Sequence, residues 1–298
     1  MRFALSTNWC NRRIESGEAI ADKAMALGFN ALELGFHTTL QQVKGFKARL
    51  DRMPVGSVHA FCPVPISAPQ GYPELYLLGD PDPEARALAR IHVKRNIEFA
   101  ASMGADAVVL HAGRVACSGF LRRWDLKRRV KRGRKAIDVL KGELAALQPV
   151  LEENKVTLGL ENLPYLEGFP AEWEIAELVG DWVKPWFDTG HDYVRQVNGW
   201  KNQQSDGNRQ PDGNQQSDGN RQPSTASAAI AFPQPVGLHI NDSQGGDDHL
   251  PPGEGKVDFA ALKPMAAAAR HIVFEPHDGV TEAALKKGLE HLKRTWGL

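Results

Sequence analysis

Eight short apolar segments that alternate with stretches of helical periodicity predict an α/β protein with a (β/α)8, or TIM-barrel, fold. The chain has 298 residues, which is the usual length for such a barrel. Each segment ends in polar residues, as expected where strands deliver side chains to one mouth of a barrel. The segments begin at Arg2, Ala31, Val55, Ala107, Thr157, Trp182, Pro235 and His271.

The stretches between these strands carry helix signals. Gly28 and Gly104 follow two of them, where glycine commonly terminates a helix, and Thr281 stands where an N-cap is expected. Gly253 and Gly255 predict a tight turn before a further helix. The clearest helical series are Ile20, Ala24 and Leu27, then Ile137, Leu140, Leu144 and Leu147, and finally Leu285, Leu289 and Leu292.

One repeated segment interrupts this pattern. The string NQQSDGNRQP occurs at Asn202–Pro211 and again at Asn214–Pro223, without an apolar residue. Such a segment cannot bury surface to offset its ordering entropy. We therefore expect a single domain over residues 1–298 with a low-complexity, disordered insertion at about 201–225, where the sixth helix belongs. It can act as a lid or partner-binding loop, or be a tolerated repeat expansion.

The composition indicates a cytoplasmic enzyme. Hydrophobic residues make up 42% of the chain, and no apolar run approaches the ~20 residues that span a bilayer. We also expect no signal peptide. The 36 basic and 36 acidic residues balance, which argues against a global nucleic-acid-binding field. Cys10, Cys62 and Cys117 are odd in number and lack CxxC spacing, so a reducing compartment is expected.

Metal-binding residue types cluster at the ends of the last six strands. Because the carboxyl ends of barrel strands converge on one face, this ordering predicts a divalent-metal site at the mouth. The alternative is a hydrogen-bonded polar network without a metal. Glu33 and His37, at the end of the second strand, can complete the floor and rim of the pocket, and we assign them no catalytic step. The candidate ligands are His59, His111, Glu161, Asp188, His191, His239, Asp247, His249 and Glu275.

The strings LGLEN, WFDTGHD, GLHINDS, DDHLPPGEGKVDF and FEP, in that order, resemble the xylose-isomerase-like TIM barrel superfamily. This superfamily contains sugar and sugar-phosphate isomerases and epimerases, inosose dehydratases, and zinc-dependent apurinic endonucleases of the endonuclease IV type. The resemblance covers nearly the whole chain except the repeat. It therefore implies the barrel fold and a metal-dependent enzyme, but not one reaction.

The isomerase and epimerase branch implies one divalent ion held by Glu161, Asp188, His239 and Glu275. Mn²⁺, Mg²⁺, Co²⁺ or Zn²⁺ is expected there, polarising the carbonyl of a ketose and stabilising an enediolate. Glu161 and Glu275 are the expected catalytic pair, one removing and one returning the carbon-bound proton. His191 is expected to touch a substrate oxygen. The expected substrate is a sugar, a sugar phosphate or a related polyol ketone.

The endonuclease branch implies up to three zinc ions and hydrolysis of DNA phosphodiesters. In this reading His59, His111, His191, Asp247 and His249 complete a nine-ligand set with the four residues above. The N-terminal strings LSTNWCNRR and GFNALELGF instead resemble the isomerase branch, and the loops after the first three strands match no DNA-recognition loop. We therefore expect an isomerase or epimerase, with the apurinic endonuclease as the alternative and nucleic acid as the less expected partner.

Three further residues are candidates for substrate binding. Arg122 and Arg123 open a basic segment after the fourth strand and can hold a sugar phosphate, although a solvated helix face explains them equally simply. Trp9, after the first strand, can line a sugar pocket or pack as a core aromatic. Barrels of this superfamily often pair or form tetramers, so the resemblance also admits a homo-oligomer.

Overall fold

Eight parallel strands close into a barrel, as the sequence predicts. In this computed structural model the strands neighbour one another in the order β1-β10-β9-β8-β6-β4-β3-β2, and β1 pairs with both β2 and β10. The strands are Phe3–Ser6 (β1), Ala31–Leu34 (β2), Val55–His59 (β3), Ala107–Leu110 (β4), Gly113–Arg114 (β5), Thr157–Glu161 (β6), Gly168–Phe169 (β7), Val183–Asp188 (β8), Gly237–Ile240 (β9) and His271–Phe274 (β10).

The helices lie between the strands in chain order. They are Gly17–Ala26 (α1), Leu40–Lys47 (α2), Pro83–Ser102 (α3), Arg122–Asn154 (α4), Glu172–Ile175 (α5), Thr189–Val197 (α6), Phe259–Ala268 (α7) and Glu282–Trp296 (α8). The structure describes residues 2–115, 122–198, 232–246 and 249–298, with the side chains of α4 from residue 129 onward. The repeat at 201–225 and Cys117 lie outside the described residues. No helix in the described ranges is long and apolar enough to cross a membrane.

The predicted helix boundaries are present. Thr281 caps α8 by accepting a hydrogen bond from the Ala284 amide at 3.2 Å. Gly28 and Gly104 both have positive φ, at 93° and 74°, directly beyond the ends of α1 and α3. The sixth barrel helix is α6, which follows β8 directly and precedes the region of the repeat.

The barrel interior is filled by small side chains around one indole. Trp186 points inward from β8 and is packed against Ala4, Ala31 and other small residues of the neighbouring strands. A Cβ atom added at Gly237 would lie 2.4 Å from the Trp186 ring, and one at Gly159 would lie 2.8 Å from it. Both glycines therefore make room for the indole, which forms a solid floor beneath the mouth.

Two short strands tie loops together at the mouth. β5 and β7 pair antiparallel and join the segment after β4 to the segment after β6. The Gly79 amide, in the loop that precedes α3, donates to the Ala112 carbonyl oxygen at 2.8 Å. Three loops of the carboxyl-terminal face are thus held against one another around the site.

Candidate metal centre

Four side chains converge where β6, β8, β9 and β10 end. Glu161 and Asp188 are the last residues of β6 and β8, His239 lies in β9, and Glu275 directly follows β10. All four are buried. Each offers one ligand atom, and these atoms lie within 4.8 Å of one another. The topology thus brings together the four residues that the sequence predicted as a metal centre.

The ring of His239 is oriented by contacts at both nitrogens. Its Nδ1 lies 3.1 Å from Glu161 Oε1 and 3.1 Å from Glu275 Oε2, and 3.9 Å from Asp188 Oδ2. Its Nε2 lies 3.1 and 3.2 Å from the two carboxylate oxygens of Glu33. A carboxylate that accepts the Nε2 proton leaves the Nδ1 lone pair available to a cation, which is the usual carboxylate–histidine–metal arrangement.

Glu33 reaches His239 because it points into the barrel from β2, on the same face as Ala31, whereas Leu32 packs in the outer core. The pairing of β2 with β3 shifts register between Leu32 and Glu33, and the extra residue, Gly56, lies in β3. This shift places Glu33 opposite Ser57, whose hydroxyl donates to Glu33 Oε2 at 2.8 Å. Sequence reasoning placed Glu33 in the pocket without a role. Strand alternation turns its side chain inward, and the register shift, which a strand pattern does not encode, brings the Ser57 hydroxyl to it.

Two asparagines that sequence reasoning missed hold Asp188. The Asn162 side chain exchanges two hydrogen bonds with the Asp188 backbone, at 2.7 and 3.0 Å. Asn241 Nδ2 donates to Asp188 Oδ2 at 2.6 Å, and a Cβ at Gly190 would lie 1.9 Å from Asn241 Oδ1. Both asparagines stand in the strings LEN and IND, so the signal was present in the sequence, but short polar residues at strand ends have many structural uses.

The acids and the imidazoles of the centre shift one another's pKa values. Burial opposes the protonation of His239, yet Glu275, Glu33 and Glu161 together raise its pKa well above the ordinary value. Burial would likewise raise the pKa of Glu161, but His239 and His111 hold it well below its ordinary value. The Glu161 carboxylate is therefore ionised, and the proton on the His239 ring occupies a position that a cation can take.

A second set of ligand atoms adjoins the first through Glu161. His59 Nε2 and His111 Nε2 each lie 3.2 Å from Glu161 Oε2, whereas Glu161 Oε1 faces His239. The His59 and His239 rings are stacked at 5.6 Å. One ligand atom from each of His59, His111 and Glu161 lies within 4.8 Å of the others. Glu161 can thus bridge two cation positions.

A third set contains Asp188, His191 and His249, again within 4.8 Å of one another. His191 Nδ1 lies 2.8 Å from the Asn162 carbonyl oxygen, and His249 Nδ1 lies 2.9 Å from the Glu275 carbonyl oxygen. With both Nδ1 atoms occupied by these carbonyl oxygens, the two Nε2 atoms lie 3.3 Å apart and can face one cation together with Asp188. Asp247 lies outside the described residues.

The donor chemistry fits a divalent cation. Carboxylate oxygens and neutral imidazoles are ligands that Zn²⁺, Mn²⁺ and Co²⁺ accept, and the ring orientations are fixed by second contacts as such sites require. No sulfur ligand is present in the three sets. Cys10 and Cys62 are free and buried elsewhere, and burial raises the pKa of Cys10 to about 12.

Of the three predicted substrate-binding residues, only Trp9 has a described side chain. Trp9 is 2% exposed, and its Nε1 donates to the Val280 carbonyl oxygen at 2.6 Å. The Arg13 guanidinium lies 5.5 Å from the centre of its ring. The sequence left two roles open for Trp9, a sugar contact and a packed core aromatic. The arrangement seen here is the packed one. The side chains of Arg122 and Arg123 lie outside the described residues, so their role stays a prediction.

Solved structures of similar fold include sugar-processing enzymes. A D-tagatose 3-epimerase-like protein aligns with a TM-score of 0.68 at 19% identity, over 100% of this chain and 98% of its own. The 3-keto-D-glucoside 4-epimerase YcjR from E. coli aligns with a TM-score of 0.67 at 17% identity, over 99% of both chains. The IolI protein with a bound zinc atom aligns with a TM-score of 0.64 at 13% identity, over 100% of this chain and 98% of its own.

At these identities the likeness shows the shared fold. No curated protein matches the chain by sequence. A family model does match, and it spans residues 21–295, which include every strand from β2 to β10 and all the candidate ligands. The chain therefore belongs to the xylose isomerase-like TIM barrel family.

Proposed function

We propose that this protein is a divalent-metal-dependent isomerase or epimerase of a sugar, a sugar phosphate or a related polyol ketone. The observation that carries the proposal is the convergence of Glu161, Asp188, His239 and Glu275 on one point of the mouth. Sugar epimerases among the solved structures of the same fold support this substrate class. An inosose-dehydratase-like lyase is a close variant, since it begins with the same proton abstraction.

A bound cation supplies a Lewis acid that polarises the substrate carbonyl. The chain supplies the proton transfer. Glu161 and Glu275 both point at His239 Nδ1, from β6 and β10, on strands separated by β8 and β9. Two carboxylates placed on either side of a ketose can act in turn. One removes the proton from the carbon next to the carbonyl, the electron pair forms the enediolate, and the other returns a proton to carbon.

Solvent isotope exchange tests this proposal directly. The protein loaded with Mn²⁺, Co²⁺, Mg²⁺ or Zn²⁺ is incubated in D2O with a panel of ketoses and their phosphates, and deuterium at the carbon next to the carbonyl is followed by NMR. We expect exchange for one substrate class, and a loss of about 10²–10⁴-fold in Glu161→Gln and Glu275→Gln. Glu98→Gln is the matched control, because Glu98 lies on the outer surface of α3.

Chelation should abolish the exchange and re-addition of the metal should restore it. Exchange that survives in both glutamate variants would contradict the assigned proton transfer. A Glu161→Gln variant that keeps its metal but loses a measured activity would exclude a pure metal-binding role.

One observation favours a second candidate, a zinc-dependent apurinic endonuclease. The four-residue centre overlaps the second ligand set at Glu161 and the third at Asp188, as a cluster of up to three ions would require. Such a cluster can activate a hydroxide and stabilise both oxygens of a phosphodiester displacement. Cleavage of duplex DNA with an abasic site, with binding that falls steeply with salt, would favour this candidate. Indifference to DNA together with isotope exchange on a ketose would reject it.

A further inference from the structure

The five histidines of the three ligand sets share one arrangement, in which one ring nitrogen faces another ligand of its set and the other faces a second group. For His59, His191 and His249 that second group is a backbone carbonyl oxygen, at distances from 2.8 to 3.1 Å. For His239 it is Glu33, a residue of the barrel itself. These four rings are therefore fixed by the barrel strands or by backbone next to them.

His111 is held in a different way. Its Nε2 faces Glu161 Oε2 at 3.2 Å, and its Nδ1 lies 3.5 Å from Glu74 Oε1. Glu74 comes from the loop of residues 60–82, which joins β3 to α3. Its side chain is only 4% exposed. The group that faces Nδ1 of this histidine is thus a buried carboxylate brought in by a loop, at the distance of an ion pair and not of a hydrogen bond.

Glu74 also joins that loop to its neighbours. Its second oxygen, Oε2, accepts from Arg114 Nε. The Arg114 guanidinium lies 4.5 Å from the centre of the Tyr165 ring, and Arg114 Nη2 donates to the Tyr72 hydroxyl at 3.2 Å. One carboxylate therefore joins the loop 60–82 to the segment after β4, and Arg114 extends this connection to the segment after β6. The same carboxylate sits beside a candidate metal ligand.

We infer that Glu74 is a positioning residue that fixes the His111 ring so that Nε2 can bind a cation together with His59 and Glu161. Because one carboxylate serves both contacts, the docking of the loop 60–82 and the binding of that cation stabilise each other. This inference rests on the metal dependence proposed above. It adds a residue that neither the sequence motifs nor the four-residue centre indicated.

Zinc titration of the metal-free protein against a chromophoric chelator tests this role. Glu74→Gln keeps the size of the side chain and removes its charge. We expect one zinc ion to bind about 10–100-fold more weakly in Glu74→Gln, with binding at the four-residue centre unchanged. Glu84→Gln is the matched control, because Glu84 is exposed at the start of α3 in the same region.

Two further variants distinguish the positioning of His111 by Glu74 from a role of Glu74 that only attaches the loop 60–82 to its neighbours. Arg114→Gln removes the other partner of Glu74 and should weaken zinc binding less than Glu74→Gln does, because the carboxylate that faces His111 remains. In a His111→Ala background, Glu74→Gln should have no additional effect on zinc binding. Zinc should also protect the loop from chymotrypsin cleavage after Tyr76 in the wild-type protein and fail to do so in Glu74→Gln.

Equal zinc binding by the wild type and Glu74→Gln would overturn the inference and leave the proposed function standing. A loss that persists in the His111→Ala background, or that Arg114→Gln reproduces in full, would overturn it as well. Absence of any bound metal in the wild-type protein would overturn both this inference and the metal-dependent function.

Discussion

At the scale of single residues, the His111 imidazole carries a positive charge at the mouth when no cation is bound. Burial alone would lower its pKa, but Glu161 and Glu74 raise it from 6.5 to about 9. The folded protein therefore binds this proton more tightly than the unfolded chain does. A group with a raised folded-state pKa stabilises the fold fully below its unfolded pKa, and this stabilisation is lost as the pH rises through the folded pKa.

We accordingly predict that the metal-free protein loses thermal stability between pH 6.5 and about 9. Tm measured across this range by circular dichroism should fall, and the fall should be smaller in His111→Gln, which lacks the proton. Saturating zinc should remove much of the dependence, because a metal-bound imidazole is already deprotonated at Nε2. A Tm that rises over the same range in the metal-free protein would contradict the pairing described here.

At the scale of elements, one aspartate organises the turn that precedes α7. Asp242 Oδ2 accepts hydrogen bonds from the Gly253 and Gly255 amides at 2.9 and 2.8 Å. Its Oδ1 accepts from the Ser243 and Val257 amides, both at 2.9 Å. The PPGEG turn is therefore wrapped around a single buried carboxylate. The same segment carries His249 into the mouth.

We predict that Asp242→Asn lowers the free energy of unfolding by about 2–4 kcal/mol, because the new amide group faces backbone donors and leaves some of them without an acceptor. Urea unfolding followed by fluorescence measures the change. Asp258→Asn is a suitable control, since Asp258 is an exposed N-cap of α7 in the same segment and Asn is an equally good cap. Equal effects of the two variants would show that the turn does not depend on the Asp242 carboxylate.

The elements also show what a sequence pattern can and cannot give. The eight barrel strands were predictable because buried parallel strands read as apolar runs that end in polar residues. The register shift at Glu33 was not, because it depends on how β2 pairs with β3 and not on the composition of either strand. Glu74 escaped sequence reasoning for a similar reason, since a loop between distant strands carries no period that would reveal its target.

At the scale of the whole molecule, the sequence predicts that the repeat is an insertion that does not contribute to the barrel. Its two copies, Asn202–Pro211 and Asn214–Pro223, contain no apolar residue that could contribute to a core. We predict that deleting residues 202–223 changes the free energy of unfolding by no more than about 1 kcal/mol, since the cost of closing a flexible loop varies slowly with its length. Urea unfolding of the shortened chain tests this, with isotope exchange as a parallel readout. A large loss of stability would mean that the repeat contributes to the fold.

The ligand set was the most predictable part of the site at this scale. A barrel obliges the ends of distant segments to meet, so the order of acids and histidines along the chain was enough to predict that Glu161, Asp188, His239 and Glu275 converge. What holds those ligands could not be read in the same way. Asn162 and Asn241 act through backbone and amide contacts whose partners are fixed only once the barrel closes.

Trp186 bears on how this barrel exchanges molecules with solution. Its indole fills the axis directly below His239, with the two rings 5.2 Å apart, and it stacks on His271 on the opposite side at 5.8 Å. A molecule that enters at the mouth therefore meets a dead end. Any ligand of the centre must therefore arrive and depart through the same opening.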